Sequence, residues 1–214
     1  LLMHEILDKE NMFSAIWDFP DNLSDALEIG NNIKLEQEYH KIDSIVIAGM
    51  GGSAIGGDVL SILEKENINI PFIVSRGYSI PNWVNENTLV VCSSYSGNTE
   101  ETLAVLDVAM TKKAMICGVT TGGTLADILK KNNKDVVIIP GGLQPRAALA
   151  FSFIPITKLL QKIGILDTKI DMWLPNIIKS LNDSRKINSL DSSQNPTFEL
   201  ANQIYDKIPI IYSD

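Results

Sequence analysis

The chain has 214 residues, 45% hydrophobic and 21% charged, a composition that supports a buried core and excludes an intrinsically disordered protein. Its formal charge of -8 excludes binding to nucleic acid or to an anionic membrane through an excess of Lys and Arg, so an anionic ligand must be met by local donors. Cys92 and Cys117 lie in apolar runs without CxxC spacing or a neighbouring His, which argues against a metal site or disulfide framework and for a reduced, cytoplasmic setting.

Two helical patterns come first, MHEILDKENMFSAIWDF and DNLSDALEIGNNIKLEQ, the second with Asp21 as its predicted N-cap behind Pro20. The opening LLMHEILDKE lacks the basic flank and apolar core of a signal peptide, and no run reaches membrane-span length, so no membrane partner is expected. From Ser44 the texture changes to five short apolar runs, SIVIAG, PFIVSR, TLVVCSS, AMICGV and DVVIIP, each predicted as a strand buried on both faces. The helical patterns SAIGGDVLSILEKE, NTEETLAVLDVAMTKK and TLADILKKNN lie between most of them. Strands alternating with helices imply βαβ units around a parallel sheet, hence a doubly wound α/β domain. After Pro145 the pattern is helical through RAALAFSFIPITKLLQKIG, again around Met172 to Lys186, and in TFELANQIYD. The closing IPIIY reads as a strand that opens a further domain, as if this were the N-terminal part of a longer protein.

In an open α/β sheet, ligands bind at the carboxyl ends of the strands, and three loops there are unusual. GMGGSAIGG follows the first strand; a glycine-rich turn before a helix lets backbone N–H groups approach an anion. Gly49, Gly51 and Ala54 satisfy G-x-G-x-x-A, but the second strand ends in Ser75 and Arg76 where the dinucleotide fingerprint wants an acid. A P-loop is excluded because Gly57 and Asp58 stand where Lys and Ser or Thr are required. The competing structural reading is that these glycines serve tight packing.

The second loop, SSYSGNTEETL, sets Ser94, Ser96 and Thr99 around Gly97, ahead of a helix starting at Asn98 or Thr99 whose first amides lack partners. Hydroxyls with free amides form a neutral phosphate cradle. Asn98 as N-cap with Glu101 in a capping box is the alternative, and it leaves the two serines beside a glycine unexplained. Glu100 and Glu101 are read as first-turn acids pointing away from the anion. In the third loop, PGGLQPRAAL, Pro145 suits the first helical position and puts Arg146 in the first turn, where a cation opposes the helix dipole by about 0.3 to 1 kcal/mol. That placement fits an arginine aimed at a substrate oxygen, against the alternative of a solvated surface cation. His4 and His40 fall away from the crevice, so neither is an acid–base candidate.

Together GMGGSAIGGD, SSYSGNTEET and PGGLQPRAAL resemble the sugar isomerase (SIS) proteins, specifically the bifunctional phosphoglucose/phosphomannose isomerases, over nearly the whole chain. The resemblance implies a flavodoxin-like SIS domain, with a five-stranded parallel sheet flanked by helices, at 41–165. N-terminal helices at 1–40, linking helices at 166–207 and the first strand of a second SIS domain at 208–214 complete the implied layout. It implies that Gly51, Gly52 and Ser53 contact the sugar, that Ser94, Ser96 and Thr99 hold the phosphate, and that Arg146 stabilises an enediolate. No metal or cofactor, a homodimer, and a sugar phosphate as the small-molecule partner are likewise implied. The glutamate and histidine that such enzymes use for proton transfer and ring opening are expected in the second SIS domain, beyond Asp214. Two other readings stand beside this one: a non-catalytic sugar-phosphate sensor, and an NADP-type oxidoreductase resting on Gly49, Gly51, Ala54 and Arg76.

Overall fold

A computed structural model describes residues 8–167, 170–189, 192, 195–210 and 212, and in it the five apolar runs pair as one parallel sheet of order β2-β1-β3-β4-β5. The strands are β1 (Ser44–Ala48), β2 (Phe72–Ser75), β3 (Thr88–Ser93), β4 (Met115–Thr120) and β5 (Asp135–Ile138). The five strands predicted from Ser44 to Pro140 are all present, whereas the described part of the predicted terminal strand IPIIY is not a strand. The central strands β1, β3 and β4 are buried along their full length, but β2 is only half-buried and Ile138 of β5 is exposed. That corrects the expectation of burial on both faces throughout, since an edge strand has a neighbour on one side only and its helices overhang incompletely.

The helices of the first unit are α1 (Met12–Trp17), α2 (Phe19–Asn31), α3 (Gly52–Leu63), α4 (Glu100–Thr111), α5 (Gly123–Lys131) and α6 (Leu149–Ile163). Val46, Val90, Cys92 and Ile116 form a buried layer with Val105, Leu106 and Ala109 of α4 and Leu125 and Leu129 of α5. Helices α3 and α6 pack closely with each other, and α2 packs on α6; Gly57 of α3 lies over Ile47 and Val74. The result is a three-layer sandwich, as alternating βαβ units demand.

Of the first predicted helix, residues 3–7 lie outside the described residues and 8–11 are not helical: Asn11 adopts φ 51, and both carboxylate oxygens of Asp8 accept the N–H groups of Met12 and Phe13 (2.8 Å each), where α1 starts. Helix α2 begins at Phe19, not after Asp21, with Pro20 in its first turn, where a missing N–H costs nothing. The helix expected from Pro145 onward is broken into a 3₁₀ turn (Pro145–Ala147) followed by α6.

Below the sheet, at its amino edge, Asp135 is buried and accepts from Glu36 N–H (2.7 Å) and the Tyr39 hydroxyl (2.9 Å), while Gln37 donates to Tyr39 and to the Ile116 carbonyl. This network ties the segment before β1 to β4 and β5. Burial, then the nearby Cys117 thiol and Asp135, hold the Tyr39 phenol far above its ordinary pKa. Burial alone pushes the Cys92 thiol up to about 12; Cys117 is raised too, by burial first and then by Cys92.

A second compact unit, from Ile170 onward, contains α7 (Ile170–Ile187) and α8 (Pro196–Ile204). Asn195 caps α8, its side chain accepting from Phe198 N–H (3.0 Å) and donating to the carbonyls of Asn188 and Ser189. Residues 208–210 have no regular structure, and 211, 213 and 214 of the expected terminal strand lie outside the described residues, as does His4. Among the described residues no helix is long and apolar enough to cross a membrane.

Candidate active site

The strand order places β1 and β3 side by side, with their connections leaving toward opposite faces, so the crevice sits above Ala48 and Ser93. All three loops singled out in the sequence arrive there. The loop after β1 is joined to the loop after β3 twice: Ser93 Oγ donates to the Ser53 carbonyl (3.0 Å), and Tyr95 N–H donates to Ser53 Oγ (3.0 Å). The loop after β5 meets the first one at Gly52, where an added Cβ would lie 2.8 Å from the Pro145 carbonyl carbon and 3.2 Å from Arg146 N. Gly52 is therefore a contact point between chain segments, which grants the packing explanation of the glycine run its due for that residue. Gly51 is exposed, adopts φ 50 and has open space around it.

The loop after β3 is built on its own hydroxyls. Ser94, 1% exposed, accepts from Gly97 N–H (3.1 Å) and shares a hydrogen bond with Thr99 Oγ1 (2.8 Å). Gly97 holds φ 71 with Gly122 O and Thr120 Oγ1 close against it, so both its conformation and its surroundings require glycine. Ser96 is exposed and accepts from Asn98 N–H (3.2 Å), leaving its hydroxyl hydrogen free for a ligand.

The capping alternative takes a different form from the one expected. Thr99, not Asn98, is the N-cap of α4, and its side chain makes no cap hydrogen bond because it turns to Ser94. The first-turn amides of α4 thus remain open. Asn98 instead serves the neighbouring helix: its Oδ1 accepts from Thr124 N–H (3.0 Å) and Thr124 Oγ1 (2.9 Å) in the first turn of α5. Glu100 and Glu101 face the Tyr78 hydroxyl after β2, and the charge of Glu101, followed by desolvation and Glu100, holds that phenol above its ordinary pKa.

Arg146 is exposed in the 3₁₀ turn and makes no hydrogen bond or ion pair with any described residue. Arg76, in contrast, is ion-paired with Asp58 of α3, which removes it as a free partner for a 2′-phosphate. His40 is exposed before β1, at the opposite edge of the sheet. Ser93 and Tyr95 went unnoticed in the sequence as part of this site. The signal was present, a serine ending an apolar strand and one aromatic set among hydroxyls, but only the fold shows what they join.

Taken together, the sheet order and the loops meeting above it define a doubly wound α/β protein with its candidate site at the carboxyl ends of β1 and β3. No family model matches the chain. It is 42% identical over 203 residues to a bifunctional phosphoglucose/phosphomannose isomerase of Caldicellulosiruptor bescii, covering 94% of this chain and 60% of that protein. A second enzyme of that name, from Thermoplasma volcanium, is 34% identical over 194 residues, covering 88% of this chain and 57% of its own length. Among solved structures, the C-terminal domain of glucosamine-fructose-6-phosphate aminotransferase from Francisella tularensis superposes with a TM-score of 0.65 at 16% identity, covering 95% of this chain and 61% of that one. The chain is a homologue of the bifunctional phosphoglucose/phosphomannose isomerases, and it spans about three-fifths of the length of these curated relatives.

Proposed function

We propose that the protein interconverts glucose 6-phosphate and mannose 6-phosphate with fructose 6-phosphate through a cis-enediolate, this chain supplying the phosphate cradle and the arginine that meets the developing charge. The observation carrying this reading is an Arg146 without a hydrogen bond or ion pair to any described residue, on a turn that meets the glycine-rich loop at Gly52, together with a first turn of α4 that no side chain caps. Ser96, Thr99 and the open first turn of α4 hold the phosphate, the helix dipole adding a favourable field. Ser94 acts from beneath, fixing Thr99 and Gly97. Gly51, Gly52 and Ser53 border the sugar. Arg146 stabilises the negative oxygen that forms as the proton leaves the carbon next to the carbonyl.

The transfer itself needs a base within hydrogen-bond reach, and the acids nearest the cradle, Glu100 and Glu101, are turned to Tyr78, so no residue of this chain is assigned that role. That gap favours a second reading, a binding module that recognises the sugar phosphate without turning it over. As an enzyme, the protein belongs to cytoplasmic carbohydrate metabolism at the step shared by glycolysis and gluconeogenesis, acting as a homodimer without metal or cofactor.

Calorimetry with fructose 6-phosphate tests the cradle: Ser96→Ala or Thr99→Ala should weaken binding about 10-fold or more, the worth of one hydrogen bond to a charged group. Wild-type affinity in both variants would refute it. In the full-length protein, Arg146→Ala should lower kcat by about 10²- to 10³-fold with little change in KM. A change confined to KM would contradict the role given to Arg146, and binding without any isomerisation by the full-length protein would establish the module reading.

A further inference from the structure

The turn carrying Arg146 is weakly anchored. After Ile139 N–H, which donates to Thr120 O (3.0 Å), the chain passes through Gly141 and Gly142, both exposed and the latter at φ 98, before reaching the 3₁₀ turn. Among the described residues, one backbone hydrogen bond ties the stretch 140–144 to another loop of the site: Leu143 N–H donates to the Tyr95 hydroxyl at 2.9 Å. The remaining link, from the Gln144 side chain to Glu10 (2.7 Å), is exposed and leads away to the segment before α1.

Tyr95 is itself held from three sides. Its N–H donates to Ser53 Oγ, its carbonyl accepts from Thr121 N–H (3.0 Å), and it shares with Gly52, Val119, Ile139, Pro145 and Ala148 the lining of a void of only about 10 Å³. One residue of the loop after β3, through its backbone and its hydroxyl, is therefore bonded to the loops after β1, β4 and β5. We propose that Tyr95 is a positioning residue that sets the Arg146 turn against the phosphate cradle, through the bond from its hydroxyl to Leu143 N–H. This rests on the function proposed above. The hydroxyl fixes distance and the backbone bonds of Tyr95 to Ser53 and Thr121 fix direction, so the guanidinium meets the reacting oxygens at one register; a misplacement of about 1 Å at such a site is enough to cost about 10²-fold in rate.

The test is a double-mutant cycle in the full-length protein with fructose 6-phosphate as substrate. Tyr95→Phe keeps the ring and removes the strut. Its kcat should fall about 10- to 100-fold, the affinity for fructose 6-phosphate should stay within about threefold, and the Leu143 amide should exchange its hydrogen faster. In an Arg146→Ala background the same substitution should change kcat by less than about twofold, because the two residues act through one interaction. A role in stability alone would lower kcat by the same factor in both backgrounds, and that result overturns the proposal. So does an unchanged kcat for Tyr95→Phe where Arg146→Ala is slow. If Arg146→Ala is as fast as wild type, the proposed function fails first and this inference with it. Should Tyr95→Phe unfold at the assay temperature, Leu143 amide exchange at a lower temperature decides: protection equal to wild type refutes the strut.

Discussion

Gly52→Ala isolates the contact between the glycine-rich loop and the Arg146 turn. The added methyl would lie 2.8 Å from the Pro145 carbonyl carbon, closer still to its oxygen, and 3.2 Å from Arg146 N, where ordinary contact begins at 3.4 Å. Helix α3 is fixed by its packing on α6 and on Ile47 and Val74, so the exposed 3₁₀ turn is the partner that moves. Relieving a carbonyl contact of that depth takes about 1 Å, and a shift of that size in a charge-stabilising arginine lowers kcat by about 10²-fold. Stability should fall by no more than about 2 kcal/mol: overpacking costs about 1 to 3 kcal/mol, and the gain of Ala over Gly in a helix returns up to about 1. The assay is steady-state isomerisation by the full-length protein, with thermal unfolding and fructose 6-phosphate calorimetry alongside. Affinity should fall by a smaller factor than kcat, because the added methyl meets the Arg146 turn and not the phosphate-holding Ser94–Thr99 loop. A kcat within twofold of wild type, with unfolding unchanged, would refute the idea that this contact sets the arginine.

Asp135→Ala strips the partners from Glu36 N–H and the Tyr39 hydroxyl at a buried site, and chemical denaturation should show a loss of about 2 to 4 kcal/mol, with Asp135→Asn intermediate. Asn98→Ala should cost about 0.5 to 2 kcal/mol, measured the same way, since it uncaps α5 instead of its own helix. Both buried thiols have their pKa raised above the ordinary 9.0, Cys92 to about 12, so folding favours the protonated form. Their contribution is complete below pH 9 and is lost as pH rises toward 12; stability should therefore fall between pH 9 and 11, and Cys92→Ala should flatten that fall by up to about 2 to 3 kcal/mol. A thiol reagent should leave both cysteines unmodified in the folded protein at pH 8.

The sheet could be read from the chain because a strand covered on both faces must be apolar at every position, and SIVIA, TLVVCS and MICGVT are apolar enough to be unmistakable. Glycines and hydroxyls interrupting such runs at their carboxyl ends were equally visible, as was an arginine behind a proline, because local backbone needs and local chemistry are written in adjacent residues. The edge strands were misjudged because burial depends on how many neighbours a strand acquires, and strand order is a property of the assembled sheet. The alternative that made Asn98 the cap of α4 pointed to the wrong helix for a similar reason: its nearest orphan amides in sequence belong to α4, but the fold brings Thr124 within reach and Thr99 is taken by Ser94. Tyr95 carries no signal of what it joins, since its partners at Ser53, Thr121 and Leu143 come from three other loops. Short-range periodicity determined the elements and the residues with site chemistry. Their mutual distances, which decide whether Arg146 and the cradle form one site, were set only when parallel strands brought segments up to about 90 residues apart to the same edge of the sheet.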